Sequence, residues 1–273
     1  MYGCVMMFIV GYSEAMLLFV MENGKVSDLA QESNSLPFGT SAILFDLDDT
    51  LHHRSKAFDG WAREVAARYY TAEQTEKLEA MIAYLVELDM HGYRPRDDYF
   101  RQAKQRYPEI QGSIEQLIIE YQRDVIEHIV LEDDIQLLLQ RLQERQIPFG
   151  IVTNGEGAQQ QRKIIRLGID KYTSCIFISK AFGAQKPAAS IFLAAANCLQ
   201  KPTQDILFVG DNPEFDIWGA HQVGMKTVWI QHEQRYWPEH ISQDVADLTI
   251  HSFAELLPGL GLHVDTVKRE QLS

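Results

Sequence analysis

The sequence is poor in what several common function classes require. Only three of its 273 residues are cysteine, Cys4, Cys175 and Cys198, an odd number scattered along the chain with no C-x-x-C pair. That usage carries no structural zinc signature and favours a reducing, cytoplasmic setting. The histidines form no H-E-x-x-H, and neither G-x-G-x-x-G nor G-x-x-x-x-G-K-[ST] occurs. Zinc proteases, Rossmann dinucleotide sites and P-loops are therefore disfavoured. Long basic runs are also missing. Asp and Glu outnumber Lys and Arg by 38 to 25, for a formal charge of −13, and such a field repels nucleic acid, whose binding depends on cationic side chains at the phosphates. It also repels a small phosphate ester, so binding one needs a divalent cation or a local positive spot.

No Lys or Arg precedes Lys25. Residues 1–21 are largely apolar, but Ser13-Glu14 interrupts them, and an acid in mid-span is costly in a bilayer. No small-residue cleavage site follows, so neither a membrane anchor nor a secretory signal is expected. The expectation is a helix docked on the domain, or residues contributed by an upstream start, with Met21 as an alternative start. Residues 22–40, with Ser33-Asn34-Ser35 and Pro37-Phe38-Gly39, read as a loop.

What is present is ordinary for a folded protein: 46% hydrophobic and 23% charged residues, in a length that suits one large or two modest domains. One stretch organises the rest. Residues 42–45, Ala-Ile-Leu-Phe, form an apolar run that stops at Asp46, Asp48 and Asp49, with Thr50 behind them. Burying the run carries the acids to a strand end, where Asp46 and Asp48 can converge, and converging carboxylates repel unless positive charge lies between them. Mg²⁺ suits that place, since it takes oxygen ligands and is commonly held by one or two carboxylates plus a substrate phosphate.

Helical periodicity follows, over 57–70, 78–88, 97–107 and 113–129, with no strand signal between. The rhythm then alternates. Helices at 133–146, 158–167, 186–199, 215–223 and 253–257 are interleaved with short apolar strands at 148–152, 175–178, 206–209, 227–230 and 247–250. This pattern predicts an α/β fold, a Rossmann-like doubly wound parallel sheet with an inserted all-helical module, and such sheets place their sites at the carboxyl ends of the strands. The polar residues just past the strands are Asp46, Asp48 and Thr50, then Thr153 and Asn154, then Lys186 before a helix, then Asp211 and Asp216. Together they supply a cation site, a hydroxyl and amide for an anion, and one ammonium.

In that order, Asp46-Leu47-Asp48-Asp49-Thr50, Thr153-Asn154, Lys186-Pro187 and Gly210-Asp211-Asn212-Pro213-Glu214-Phe215-Asp216 resemble the four motifs of the haloacid dehalogenase superfamily. The helical insert falls between the first two motifs, as in members with a cap there. The resemblance implies a core at 41–55 and 132–260, a helical cap at 56–131, an N-terminal extension at 1–40 and a tail at 261–273. It implies Asp46 as nucleophile, Asp48 as general acid and base with a pKa raised by its surroundings, and Mg²⁺ held by Asp46, the Asp48 backbone carbonyl, Asp211 and Asp216. Thr153, Asn154 and Lys186 would hold the phosphoryl oxygens, and Asp49 would do neither job.

The implied activity is Mg²⁺-dependent hydrolysis of a small phosphorylated metabolite, of nucleotide or sugar phosphate type. A sugar phosphate mutase and a non-enzymatic binding protein on the same fold are the alternatives. Asp48 argues against dehalogenases, since displacing a halide needs no leaving-group proton. No nucleic-acid partner and no stable membrane association are expected, and the protein would be a monomer or homodimer in the cytoplasm. His52, His53 and Arg54, and the break at 91–99 with Tyr93, Arg94, Arg96 and Tyr99, lie near enough to bear on substrate choice but read equally as solvated loops. Trp218, Trp229 and Trp237 fit packing better than ligand stacking.

Overall fold

Phe8, Ile9, Val10 and Tyr12, and then Phe19 and Val20, are residues that favour a pleated strand, and the computed structural model places them in strands. It describes residues 6–12, 15–22, 25–27, 36–232 and 236–259, so the expected tail at 261–273 lies outside the described residues. The chain divides into two units, Met1–Ser35 and Leu36–Ser273. In the first, β1 (Met6–Tyr12), β2 (Ala15–Glu22) and β3 (Lys25–Ser27) form an antiparallel sheet in the order β1-β2-β3. This corrects the helix expected over 1–21. Tyr12 pairs with Ala15 and Glu22 with Lys25, leaving two residues between strands each time, and the second pair is Asn23-Gly24, the strongest short hairpin signal a sequence offers.

The second unit is built on six parallel strands, β4 (Ala42–Phe45), β5 (Phe149–Thr153), β6 (Ile176–Ile178), β7 (Ile206–Gly210), β8 (Lys226–Ile230) and β9 (Leu248–Ile250), in the order β6-β5-β4-β7-β8-β9. The chain steps from β4 outward to β5 and β6, then returns to β7 on the other side. The order therefore reverses at β4, and the loops after β4, β5 and β7 open onto one crevice, the place where such sheets bind ligands. These three strands are buried along their whole length, which is why they read as unbroken apolar runs.

Between β4 and β5 run α1 (Arg54–Ala67), α2 (Thr75–Leu88), α3 (Arg96–Arg106), α4 (Ile114–Asp124) with a 3₁₀ turn at Val125–His128, and α5 (Asp133–Glu144). After β5 come α6 (Gly157–Leu167), α7 (Ser179–Phe182), α8 (Ala189–Cys198), a π-helical turn at Pro213–Trp218 leading into α9 (Gly219–Gln222), and α10 (Phe253–Gly259). Strand alternation sorts them into layers. Ile43 and Phe45 belong to one core cluster with Leu138, Leu139 and Leu142 of α5, whereas Ala42 and Leu44 pack with Ile191, Phe192 and Ala195 of α8. Cys175, just before β6, and Cys198, at the end of α8, form a disulfide with Cα atoms 5.8 Å apart. The scattered spacing and the reducing setting drawn from it did not anticipate this pair, because 23 residues separate the two in sequence and only the packing of α8 on the sheet joins them. Among the described residues, no helix is long and apolar enough to cross a membrane.

Among the helices after β4, Trp61 packs against Phe58, Phe100 and Tyr121, in a core continuous with Ile43 and Phe45 of the sheet. The Arg96 guanidinium lies 4.5 Å from the centre of the Tyr121 ring. Asp89 is the anchor between this core and the crevice: it takes two hydrogen bonds from Arg54, of 2.8 and 3.0 Å, and pairs with Arg96 at 2.7 Å. Burial alone would raise the Asp89 carboxyl, but the two guanidiniums outweigh it and hold it below its ordinary value. Replacing Asp89 with alanine should cost about 3 kcal/mol, since it strands two largely buried cations, as measured by urea unfolding at neutral pH. Because the folded value is depressed, the contribution of Asp89 is full above the unfolded carboxylate range near ~4 and is lost as pH falls through the folded value.

Candidate active site

The Asp46 backbone N–H still donates to Val209 O at 2.9 Å, so the sheet holds its backbone while its side chain stands past the last β4 residue. There Asp46 is 5% exposed and Asp216 1%. The Lys186 ammonium sits between them, 2.6 Å from Asp46 Oδ1 and 2.6 Å from Asp216 Oδ1. Burial pushes the Asp46 carboxyl up to about 7, against the pull of Lys186 and with the push of Asp216. Burial would lower Lys186, but Asp216 and Asp46 more than reverse this and raise it. One close approach makes room for the group: a Cβ at Gly210, the last residue of β7, would meet the Asp216 carboxylate at 2.6 Å.

Lys186 is held in turn by Asn154. The Asn154 side-chain oxygen accepts from the Lys186 backbone N–H at 2.9 Å, and its Nδ2 donates to the Lys186 carbonyl at 3.0 Å. The polar residue past β5 thus locks the loop that delivers the ammonium. Asn212 caps the π-helical turn by accepting from the Glu214 and Phe215 backbone N–H groups, and its own N–H donates to Asp216 Oδ2 at 2.9 Å. Trp229 on β8 donates to the Asp211 carbonyl at 2.9 Å, a tie to the site from a tryptophan that otherwise packs against Trp237.

Of the eight polar residues collected past the strands in the sequence, Asp46, Asp48, Thr153, Asn154, Lys186, Asp211 and Asp216 line one cavity of about 390 Å³, and Thr50 does not. Carboxylate oxygens of Asp46, Asp211 and Asp216 lie within 4.8 Å of one another. An all-oxygen set of this kind fits a hard divalent cation such as Mg²⁺. The Asp48 carboxylate is not in that group. The chain curls after Asp46, with Asp49 in the left-handed region at φ +60, and Asp48 turns toward α6. Lys163 Nζ lies 2.5 and 2.7 Å from its two oxygens, Gln160 Nε2 donates to it at 2.7 Å, and His52 Nε2–H donates to it at 2.9 Å. Burial alone would raise Asp48, but Lys163 and His52 hold it well below the usual carboxylate range. The raised pKa expected for Asp48 is therefore corrected: its partners are cationic and donating, not apolar.

Gln160 and Lys163 were missed in the sequence, where a polar residue on a helix defaults to solvent. A signal was available. Both are buried, and they stand four residues before the buried Ile164 and Leu167, extending the inward stripe of α6. His52 is buried rather than solvated, and Asp49 accepts from the Ser55 backbone and hydroxyl at 3.1 and 3.3 Å. From the 91–99 segment, His91 and Tyr93 line the cavity with Arg54. The Tyr93 hydroxyl accepts from Asn212 Nδ2 at 2.6 Å. Arg94 instead pairs with Asp98 at 2.8 Å, and Tyr99 is buried among the helices.

The family described as haloacid dehalogenase-like hydrolase matches residues 43–230. The chain belongs to that family. The hydrolase is 30% identical over 192 residues to the glyceraldehyde 3-phosphate phosphatase of Pyrococcus abyssi, covering 70% of this chain and 81% of that one. It is 28% identical over 213 residues to the N-acylneuraminate-9-phosphatase of Mus musculus, covering 71% and 84%. Among solved structures, the HAD-hydrolase YfnB from Bacillus subtilis, bound to magnesium, aligns with TM-score 0.63 at 23% identity over 81% of this chain and 98% of its own. A HAD phosphatase from Thermococcus onnurineus aligns with TM-score 0.54 at 24% identity, covering 82% and 99%. These two likenesses speak to the fold of the hydrolase.

If Asp46 is a cation ligand it has to give up its proton to bind, and divalent cation binding to the hydrolase should then weaken as pH falls below about 7, by up to about tenfold per unit for one proton. Calorimetric Mg²⁺ titrations at pH 6, 7 and 8 check the slope; an affinity independent of pH would remove Asp46 from the ligand set.

Proposed function

We propose that this chain is a Mg²⁺-dependent phosphatase of small phosphorylated metabolites, working through an aspartyl-phosphate on Asp46. The observation that carries the proposal is the convergence of Asp46, Asp211 and Asp216 on one point with Lys186 between two of them, at the wall of a cavity of metabolite size. In the proposed reaction, Asp46 attacks phosphorus and the bond from phosphorus to the ester oxygen breaks. The leaving alkoxide takes a proton from Asp48. Water then attacks the aspartyl-phosphate, Asp48 takes the proton of that water, and inorganic phosphate leaves. Thr153 and the Asn154 backbone amide would hold the phosphoryl oxygens, and Lys186 would offset their growing charge. Mg²⁺, held by Asp46, Asp211 and Asp216 with the Asp48 backbone carbonyl as a further donor, would supply charge stabilisation to the phosphoryl group.

The relatives named for glyceraldehyde 3-phosphate and N-acylneuraminate 9-phosphate put sugar phosphates first among candidate substrates, with nucleotides second. The proposal includes no nucleic-acid partner and a monomeric or homodimeric protein in the cytoplasm. Purified protein should release phosphate from an aryl phosphate in Mg²⁺ and lose that activity on chelation. Asp46→Asn should fold normally and lose at least about 10³-fold in kcat, the scale of losing a nucleophile. A panel of phosphorylated metabolites, with phosphate release and isomer formation both followed, separates hydrolysis from mutase chemistry; turnover by Asp46→Asn at the wild-type rate would sink the mechanism.

A further inference from the structure

Asp48 and Thr153 are the two ends of one hydrogen-bonded chain. A single Gln160 nitrogen donates to Asp48 Oδ2 at 2.7 Å and to Thr153 Oγ1 at 2.6 Å. Lys163, one turn further along α6, reaches both Asp48 oxygens, and His52 takes Oδ1 from the other side. Counted by lone pairs, both oxygens of the carboxylate are engaged by these three donors. Asp48 still lines the cavity, so a leaving group or a water can reach its oxygens only by displacing one of these donors. Gln160 and Lys163 belong to α6, and neither is among the residues that line the cavity.

We infer that Gln160 and Lys163 are positioning residues: they form a latch that keeps the Asp48 oxygens engaged and ties their release to the filling of the Thr153 site. The inference rests on the proposed role of Asp48 as proton carrier. A phosphoryl oxygen arriving at Thr153 accepts a hydrogen bond from that hydroxyl and competes with Thr153 and Asp48 for the N–H groups of the Gln160 amide. Asp48 then loses one of its three holders, and the leaving oxygen competes for it. The latch makes the engagement of Asp48 depend on a phosphoryl group being present.

The test uses two esters that differ in their need for Asp48. A nitrophenyl phosphate leaves with little help from a proton, whereas an alkyl phosphate such as glycerol phosphate needs one. Lys163→Met removes the strongest holder while keeping the length of the side chain. If the latch exists, the ratio of kcat for the alkyl ester to kcat for the aryl ester should rise by at least about fivefold, the scale of one charge-assisted hydrogen bond, and Lys163→Arg should restore the wild-type ratio. A residue of merely structural value would lower both rates together and leave the ratio unchanged, which overturns the inference, as does a fall in the ratio. Should Lys163→Met fail to fold, Gln160→Met serves, with the same sign expected.

A second measurement needs no turnover. In crystals soaked with tungstate, the anion should lie against Thr153 with Asp48 withdrawn from Lys163; tungstate bound there with the Lys163 pair intact overturns the latch. Wild-type protein that hydrolyses neither ester yet releases Asp48 on tungstate binding would sink the phosphatase reading and leave the latch standing. Protein that neither turns over nor binds the anion sinks both.

Discussion

Three carboxylates crowd one buried point, and the Lys186 ammonium between Asp46 and Asp216 is what lets them do so. Like charges within a few ångströms in a dry site cannot all ionise without a compensating cation. Lys186 comes from a loop rather than from the sheet, so its own placement has to be secured. Asn154 does this by taking both backbone polar groups of Lys186 into its side-chain amide. The polar ends of β4, β5 and β7 are therefore electrostatically interdependent: remove the ammonium and the acids lose the partner that permits their burial.

That dependence explains the demands on the sheet. Phe45, the last residue of β4, lies in register with Ile151 on one side and Val209 on the other, so β5 and β7 run on to Thr153 and Gly210 and the three strands deliver Asp46, Thr153 with Asn154, and Asp211 to one edge. A register slip of one residue would turn every side chain to the opposite face and separate Asp46 from Asp211. The continuous apolar faces of these strands, clamped by α5 and α8, protect the register. The rigidity of the sheet thus serves the placement of charge.

Much of this was legible in the sequence because the signal is local. Apolar runs such as 42–45, 148–152 and 206–209 end abruptly in polar residues, and period and breaker residues mark the helices between them. What stayed hidden depends on contacts between distant residues. Gln160 and Lys163 acquire meaning only from Asp48, more than a hundred residues earlier, and Cys175 meets Cys198 only because α8 packs on the sheet. The N-terminal strands were hidden differently. An apolar run judged by its fitness to span a bilayer was not weighed for β-branched and aromatic content or for Asn23-Gly24.

The two aspartates flanking Leu47 sit in opposite electrostatic surroundings, and the protein groups around each set it against its proposed role. Asp46, the proposed nucleophile, is pushed up to about 7 by burial, although attack would need the carboxylate. Asp48, which must carry a proton, is held well below the usual range by Lys163 and His52 against the effect of burial. Positive charge at the acidic cluster would favour ionised Asp46, and a phosphoryl anion near Asp48 would favour its protonated form. In the proposed reaction, cation and substrate together would therefore be needed to set both carboxyls for their roles. A pocket that stored a reactive carboxylate beside a ready proton donor would have no such dependence. Here the requirement follows from where one lysine on a loop and one on α6 place their charge.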